Sequence, residues 1–362
     1  SQHHDFHAGW CEIVSGAIAV KPAQDGWQPS CSIRMLRTRA AMLREIREFF
    51  CQRGYLEVET PCLSRDIVLD TGLEPFGLEV RGERWFLQTS PEAHMKRLLA
   101  AGAGSIFQIS HVFRQHERGH RHNSEFTMIE WYGAGTSWLE QLEITETLVR
   151  TAAAAAALVT GCNIAEQWSP AEFQRTTYAE AFRRVFRIDV FDCTGNKLIQ
   201  AAEEFGIALP HALDENCIDD ILNVMLALAI EPQLGGPAAG AKVHPEFIHD
   251  YPPSQAALAV IADNFPHKVA RRFELYVQGL ELCNGYQELA DVDELQSRDI
   301  LQNQRRAQDQ SPQLPGAPRM MAAMRSGLPA CSGVALGFDR LVMLATGCND
   351  IREVMPFPEE RA

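Results

Sequence analysis

The chain has 362 residues, of which 46% are hydrophobic, and this predicts one large or two medium globular domains with ample material for a core. Its formal net charge of −14 argues against a broad nucleic-acid-binding face, because such faces need clustered lysine and arginine side chains. Ten cysteines without a C-x-x-C pair, the lack of a long apolar run and the lack of a signal-peptide pattern predict a cytoplasmic protein without a membrane span.

The N-terminal residues 1–33 mix glycine, proline, serine and histidine without a sustained period, which predicts a flexible extension. The regular part of the chain, residues 34–362, begins with apolar residues at helical spacing from Met35 onward, and Gly54 suits a left-handed cap at the end of this helix. Residues 55–60 then alternate apolar and acidic side chains, which predicts a short strand that a proline ends.

A second helix is predicted to begin at the tetrapeptide Thr89-Ser90-Pro91-Glu92. This tetrapeptide offers a hydroxyl at the cap, a proline in the first turn and an acid near the positive end of the helix dipole. The helix is expected to follow a strand at residues 85–88 and to continue to Ala100.

Two apolar runs at residues 107–113 and 126–132 flank a polar segment, which predicts a hairpin with a cationic tip. The tip and its edges carry three arginines and four histidines, namely Arg114, Arg118, Arg121, His111, His116, His120 and His122. Alternation along the second run puts four side chains on one face, namely Phe126, Met128, Glu130 and Tyr132. Such a site fits a phosphate chain at the loop and a planar or cationic group along the strand. The alternative interpretation is a solvated basic loop between two core strands.

A long helix is predicted at residues 139–159, and a helical insertion follows at about 160–245. Within the insertion, residues 218–230 show a further helical pattern. No combination of residues in this segment predicts a catalytic or binding site, so we expect the insertion to be structural.

A second hairpin is predicted at residues 271–289, with the Gln-Gly dipeptide 278–279 as its two-residue turn. Its expected register puts four side chains on one face, namely Glu274, Tyr276, Glu281 and Cys283. Glu274 and Glu281 would then lie close enough to share a hard cation, and magnesium prefers a few carboxylates together with substrate phosphates. The alternative is a pair of solvent-facing glutamates on an outer strand.

The polar residues 291–329 predict a surface helix and loop, and residues 331–344 predict a glycine-bearing strand followed by an apolar helix. Gly333 and Gly337 would let a flat group lie against this strand, and Arg340 at the start of the helix would reach it. Small residues in a strand also fit tight packing, which is the alternative.

Taken together, three of these stretches resemble the class II aminoacyl-tRNA synthetases, and specifically the catalytic domain of lysyl-tRNA synthetase. The similarity spans residues 34–358 and is weakest between 160 and 245. Its three motifs are similar to Arg39–Pro61, to Phe113 and Arg114 through the loop to Phe126, and to Gly333–Arg340. The resemblance implies an α+β fold with a mixed, mainly antiparallel sheet flanked by helices, and a homodimer formed through residues 39–61.

The chain is most similar to shortened paralogues of lysyl-tRNA synthetase, which lack the N-terminal anticodon-binding barrel. These paralogues attach a β-lysyl group to a lysine of translation elongation factor P. The amino-acid sequences of Pro253–Leu258 and Cys331–Gly337 carry this resemblance, and only some 34 residues precede the first motif. It implies β-lysine and elongation factor P as substrates, without tRNA. Two alternatives stay open, a truncated lysyl-tRNA synthetase and a catalytically silent ATP or amino-acid sensor.

The resemblance also implies ATP and Mg²⁺ as cofactors and assigns residues to them. Catalysis would rest on Arg114, Glu274, Glu281 and Arg340, with Glu274 and Glu281 holding the metal. Phe126 and Arg340 would sandwich adenine. The implied ATP site consists of Arg114, His116, Arg121, His122, Asn123, Phe126, Glu274, Glu281, Gly337 and Arg340. The implied amino-acid pocket consists of Glu92, Arg114, Glu130, Tyr132, Cys283, Asn284 and Glu288.

Two residues depart from the pattern of the family. His116 stands where the second motif has a glutamate that accepts a hydrogen bond from the adenine amino group. A neutral imidazole can also accept one, and Glu117 is the alternative acceptor. Cys283 stands where lysyl-tRNA synthetases have glycine, and a larger side chain there would disfavour an α-amino group.

Overall fold

The computed structural model describes residues 26–70, 72–162, 164–168, 172–210, 215–236, 242–264, 266–308 and 310–362. Residues 1–25 of the predicted extension lie outside these ranges, so its flexibility stays a prediction. In the described part of the chain no helix is long and apolar enough to cross a membrane. Every cysteine within these ranges is a free thiol.

A mixed, mainly antiparallel sheet forms the centre of the molecule, which confirms the predicted fold class. Its nine strands among the described residues are β1 (Leu56–Glu57), β5 (Ile106–Phe113), β6 (Glu125–Ala134), β7 (Gln174–Thr177), β8 (Glu246–Tyr251), β9 (Ile261–Asn264), β10 (His267–Val277), β11 (Leu280–Gln287) and β12 (Cys331–Gly337). A small second sheet contains β2 (Leu63–Ser64), β3 (Gly77–Val80) and β4 (Glu83–Leu87). In the main sheet the order is β1-β5-β6-β12-β11-β10-β8-β7, with β9 paired to β10. Only the β1–β5 and β7–β8 pairs are parallel.

Helices flank this sheet, as predicted. Those in the described residues are α1 (Ile33–Gln52), α2 (Glu92–Ala100), α3 (Trp138–Thr160), α4 (Tyr178–Phe186), α5 (Gly195–Glu204), α6 (Ile218–Met225), α7 (Val292–Gln308), α8 (Pro318–Gly327) and α9 (Phe338–Thr346). Among the described residues of the segment 160–245 lie the helices α4, α5 and α6 and the strand β7.

The first helix and the long third helix cover one face of the sheet. The ring of Phe50 on α1 stacks on Phe107 of β5 with a centroid distance of 4.6 Å, and it lies 5.3 Å from Trp131 of β6. All three side chains are fully buried in the main core. Because side chains alternate along a strand, the neighbours of Trp131 on β6, Glu130 and Tyr132, point to the opposite face. That opposite face carries the candidate site.

Both predicted hairpins are present in the structure. In the first, β5 pairs with β6 from Ile106 opposite Tyr132 to Phe113 opposite Glu125. In the second, β10 and β11 are joined by the predicted turn, with φ of 52° at Gln278 and 69° at Gly279. Left-handed conformations at both residues are typical of a tight hairpin turn.

Two local predictions need correction. The predicted strand at residues 55–60 is only the two-residue β1. The residue at the cap of α2 is Pro91, and the hydroxyl of Ser90, one residue earlier, accepts a 3.4 Å hydrogen bond from the backbone N–H of Glu92.

Candidate active site

The open face of the sheet forms the floor of a cleft of about 680 Å³. The loop between β5 and β6 borders it on one side, and the insertion borders it on the other. A smaller cavity of about 70 Å³ shares a wall with it, formed by residues that line both, namely Asp70, Leu73, Arg114, Asn284 and Ala335. The cleft and the small cavity therefore adjoin, as sites for two reacting molecules must.

The small cavity is acidic. Three carboxylates predicted for the amino-acid pocket line it, namely Glu92 at the start of α2, Glu130 on β6 and Glu288 just after β11. The hydroxyl of Tyr132 donates a 2.7 Å hydrogen bond to Oε1 of Glu130. Burial, and then the charge of Glu92, raise the pKa of Glu130 to about 8. Buried carboxylates with raised pKa values favour a cationic ligand, because its charge lowers the cost of ionising them.

A lysine that the sequence analysis missed joins two of these carboxylates. The Nζ atom of Lys96 lies 2.6 Å from Oε1 of Glu92 and 2.6 Å from Oε2 of Glu288, and its side chain is fully buried. The paired carboxylates hold the pKa of Lys96 above its ordinary value, against the effect of burial. The i,i+4 spacing from Glu92 to Lys96 on one helix was the signal available in the sequence.

The two glutamates predicted to hold magnesium face the larger cleft, one from β10 and one from β11. Oε2 of Glu274 accepts hydrogen bonds from Tyr251 at 2.8 Å and Tyr276 at 2.6 Å, and Arg272 donates to its Oε1 at 2.5 Å. Burial, and then the charge of Glu274, raise the pKa of Glu281. A cation would relieve the repulsion between these two carboxylates. The pair is therefore a donor set that fits magnesium.

A third carboxylate, from the insertion, lies at this place. Glu231 lies in the cleft wall, and its Oε1 accepts a hydrogen bond of 3.3 Å from Tyr276. Burial, and then the charges of Glu274 and Glu281, raise the pKa of Glu231 to about 7. Three further polar residues of α6 line the same wall, namely Asp219, Asp220 and Asn223. No local pattern in the sequence connects residues this far apart.

The cationic residues predicted to bind phosphate converge on the cleft. Arg114 lies over the ring of Phe126 at 5.1 Å, and Arg121 donates to the backbone oxygen of Gly279 at 3.1 Å. Arg340 donates to the backbone oxygen of Glu281 at 2.9 Å and lies 2.7 Å from Nε2 of His122. Burial, and then the charge of Arg340, lower the pKa of His122. These side chains, together with Gly337, line the cleft beside the carboxylates.

Asn123 borders the cleft but is already engaged within the protein. Its Nδ2 donates to the backbone oxygen of Glu125 at 2.6 Å, and its Oδ1 accepts from the backbone N–H of Glu359 at 3.0 Å. The hydroxyl of Ser124 donates to Glu359 at 2.8 Å. These bonds fix the end of the loop to the C-terminal segment, so Asn123 contributes to the site mainly by holding the loop in place.

His116 is not among the described residues that line the cleft. Its backbone is left-handed, with φ of 65°, and its side chain is exposed outside the residues that line the cleft. Glu117 lines the cleft instead, with Oε2 at 3.3 Å from Nε2 of His122 and Oε1 at 4.0 Å from Arg114. Of the two acceptors considered from the sequence, Glu117 is the one that lines the cleft.

Cys283 also differs from its prediction. A bulge between β10 and β11 makes Tyr276 pair with Glu281 but Leu275 pair with Cys283. The extra residue reverses the alternation, so Cys283 packs with Leu275 in the main core, 2% exposed, while Asn284 pairs with Glu274 on the face of the cleft. Cys283 borders the larger cleft but is not among the described residues that line the small cavity. The prediction that Cys283 shares a face with Glu274 is wrong.

The sheet places Ala335 where Cys283 was expected. On β12, Ala335 pairs with Asn284 of β11 on one side and with Glu130 of β6 on the other, and it lines both cavities. Its neighbour Gly333 has no room for a side chain, because a Cβ there would lie 2.4 Å from the ring of Tyr132. The size of the pocket floor is therefore set on β12.

Comparison with known proteins shows the family of the chain. The chain matches the family described as tRNA synthetases class II (D, K and N) over residues 29–361. It is also similar to two proteins named elongation factor P--(R)-beta-lysine ligase, from Salmonella paratyphi B and Salmonella schwarzengrund. Each is 41% identical over 342 residues, which cover 93% of this chain and 98% of the relative.

Proposed function

The chain belongs to the class II tRNA synthetase family, and from this premise we propose that it is an ATP-dependent ligase for (R)-β-lysine. The enzyme first joins the carboxyl group of β-lysine to AMP and releases diphosphate. It then transfers the β-lysyl group to a lysine side chain of translation elongation factor P. The relatives carry this activity in their name.

The observation that carries the proposal is the acidic small cavity beside the cleft. Glu92, Glu130 and Glu288 line it, and Lys96 neutralises one of their charges. A lysine isomer carries two ammonium groups, and buried carboxylates are the partners that such groups need when they leave water. An amino acid with a neutral side chain brings one ammonium group and would leave one of these carboxylates without a partner, which penalises its binding.

ATP fits the larger cleft. Arg114, Arg121 and His122 offer donors for its phosphates, and Phe126 and Arg340 lie where they can pack against its base. Glu117 offers a carboxylate acceptor for the adenine amino group. Glu274 and Glu281 would hold magnesium, which supplies charge neutralisation for the phosphates when it is bound.

The chemistry needs no protein nucleophile. An oxygen of the substrate carboxylate forms a bond to the α-phosphorus of ATP as the bond from that phosphorus to diphosphate breaks. Arg114 borders both cavities, so its guanidinium can neutralise charge that develops between them. A deprotonated lysine amine of the acceptor then forms the amide bond to the carbonyl carbon, and AMP leaves.

We extend the proposal to assembly and location. Residues 39–61 form a dimer interface, and the exposed side chain of Leu56, 55% accessible, is an apolar group that such an interface would cover. The free thiols of the described residues suit the reducing conditions of the cytoplasm. Light scattering of the purified protein tests the dimer, and a monomer at micromolar concentration would contradict it.

Isotope exchange between diphosphate and ATP tests the function. We expect exchange with (R)-β-lysine to be faster than with α-lysine, and mass spectrometry to show a β-lysyl adduct on elongation factor P. A preference for α-lysine together with labelled tRNA would instead identify a lysyl-tRNA synthetase. ATP binding without exchange on any lysine isomer would identify a regulator.

A further inference from the structure

Lys96 lies behind the small cavity, and it is not one of the described residues that line this cavity. Its two partners come from different elements, since Glu92 begins α2 and Glu288 follows β11. Both of its ion pairs are 2.6 Å long, and the side chains of Lys96 and Glu288 are 0% and 1% exposed. A buried ammonium group this tightly paired fixes the carboxylates on either side of it.

The charges of the pocket depend on this lysine. The carboxylates of Glu92, Glu130 and Glu288 carry three negative charges when ionised, and Lys96 leaves two of them unbalanced. Arg114, in the wall shared with the larger cleft, is the cation available to the carboxylate of the substrate. Asp70 also borders the cavity and interacts electrostatically with the buried guanidinium of Arg272. Two unbalanced negative charges match the two ammonium groups of one lysine isomer.

We propose, resting on the function proposed above, that Lys96 is a positioning residue that selects a doubly cationic substrate. It holds Glu92 and Glu288 in place and limits the negative charge of the pocket to what two ammonium groups neutralise. It acts through these two carboxylates and does not touch the substrate. Its role is therefore separate from the binding of ATP.

Without Lys96 the three carboxylates would have no buried ammonium group between them, and Arg114 would be the remaining cation among the described residues that line the cavity. Buried like charges raise one another's pKa, so the carboxylates would bind protons in place of the missing ammonium group. The substrate would have to displace those protons, and its affinity would fall. Removing one carboxylate together with Lys96 would restore the balance, even though that carboxylate lines the pocket.

Calorimetry with (R)-β-lysine and, separately, with ATP tests this inference on four variants. These are Lys96→Met, Glu92→Gln, the double variant of both, and Lys268→Met, which removes a lysine that is 70% exposed. We expect Lys96→Met to weaken β-lysine binding by about tenfold or more while ATP binding changes by less than about twofold. We expect the double variant to recover at least about threefold of the lost affinity, and Lys268→Met to bind as the wild type does.

Unchanged β-lysine affinity in Lys96→Met would overturn the inference. So would a double variant that binds no better than Lys96→Met, because a purely space-filling lysine gains nothing from the second change. If Lys96→Met alone does not fold, the double variant is compared with Glu92→Gln, and weaker binding by the double variant overturns the inference while equal or tighter binding supports it. A wild type that binds no lysine isomer would overturn the proposed function and this inference with it.

Discussion

The hydroxyl of Tyr132 donates a hydrogen bond of 2.7 Å to Glu130, two residues away on the same strand. Both side chains are buried at the small cavity, and burial raises the pKa of Glu130 to about 8. Glu130 is therefore largely protonated at neutral pH in the ligand-free protein. A cationic substrate favours its ionised form, so binding and proton release are linked.

This linkage predicts that β-lysine binds more tightly as the pH rises from about 6 to 8. Over that range the Glu130 carboxyl loses the proton that the substrate must otherwise displace, and the pKa of Glu288, about 7, adds to the effect. Calorimetry in two buffers with different ionisation enthalpies will show protons released on binding. An affinity that does not change with pH would contradict the assignment of Glu130 to the pocket.

The same carboxyl predicts a gain in stability when it is replaced. The pKa of Glu130 in the folded protein, about 8, lies above the ordinary glutamate pKa of 4.5, so the unfolded chain releases this proton at lower pH than the folded protein does. Stability from this group therefore falls as pH rises from about 4.5 to 8. We expect Glu130→Gln to raise the melting temperature at pH 8 by about 2–4 °C and to abolish exchange with β-lysine. A gain in melting temperature that is larger at pH 5 than at pH 8 would contradict a raised pKa of Glu130 in the folded protein.

The sequence predicted the sheet face of the site because that face follows from a two-residue period. Phe126, Met128, Glu130 and Tyr132 share the face expected of them, and the turn at 278–279 forms where a Gln-Gly pair indicates it. The β-bulge at Cys283 was not predictable in this way. One unpaired residue reverses the alternation, and no local pattern in the sequence indicates where it falls.

Contacts between residues far apart in the sequence could not be predicted from local periodicity. Glu231 reaches the cleft only because the insertion packs against the β10–β11 turn, where Gly279 lies close to the backbone of Pro232. His116 has a left-handed backbone and an exposed side chain, and it is not among the described residues that line the cleft. Both outcomes depend on tertiary packing, which periodicity does not report.

The loop geometry predicts a contrast between His116 and Glu117. His116→Ala removes an exposed side chain outside the cleft, so exchange activity should change by less than about twofold. Glu117→Gln keeps the shape of a cleft residue but removes the charge facing Arg114 and His122, and we expect the KM for ATP to rise about tenfold. Exchange kinetics at varied ATP concentration measure both, and a large effect at His116 alone would reverse the assignment.

The bulge predicts separate effects for Cys283 and Ala335. Cys283→Gly leaves space in the core and should cost about 1–3 kcal/mol of stability without changing the preference between lysine isomers. Ala335→Val adds two methyl groups at the pocket floor and should raise the KM for β-lysine by about tenfold or more with little change in the KM for ATP. Denaturant unfolding and exchange kinetics test the pair. If Cys283→Gly shifts the preference between lysine isomers, the result would support the sequence-based prediction that the side chain at 283 disfavours an α-amino group.

The two carboxylates proposed to hold magnesium should differ in what they do for the fold. Glu274 accepts hydrogen bonds from two tyrosines and an arginine, so the amide of Glu274→Gln would place donors against donors. Glu281 instead has a pKa raised by burial and by the charge of Glu274, so Glu281→Gln removes a repulsion.

Both substitutions should slow exchange by about 10²-fold or more and raise the magnesium concentration needed for half-maximal rate, because each removes a ligand charge. Only Glu274→Gln should lower the melting temperature in the absence of metal. Magnesium titrations of the exchange rate, paired with thermal unfolding of the metal-free variants, separate these effects. Equal destabilisation of both variants would mean that Glu281 is part of the structural network around Glu274, and unaltered magnesium dependence would remove both residues from the metal site.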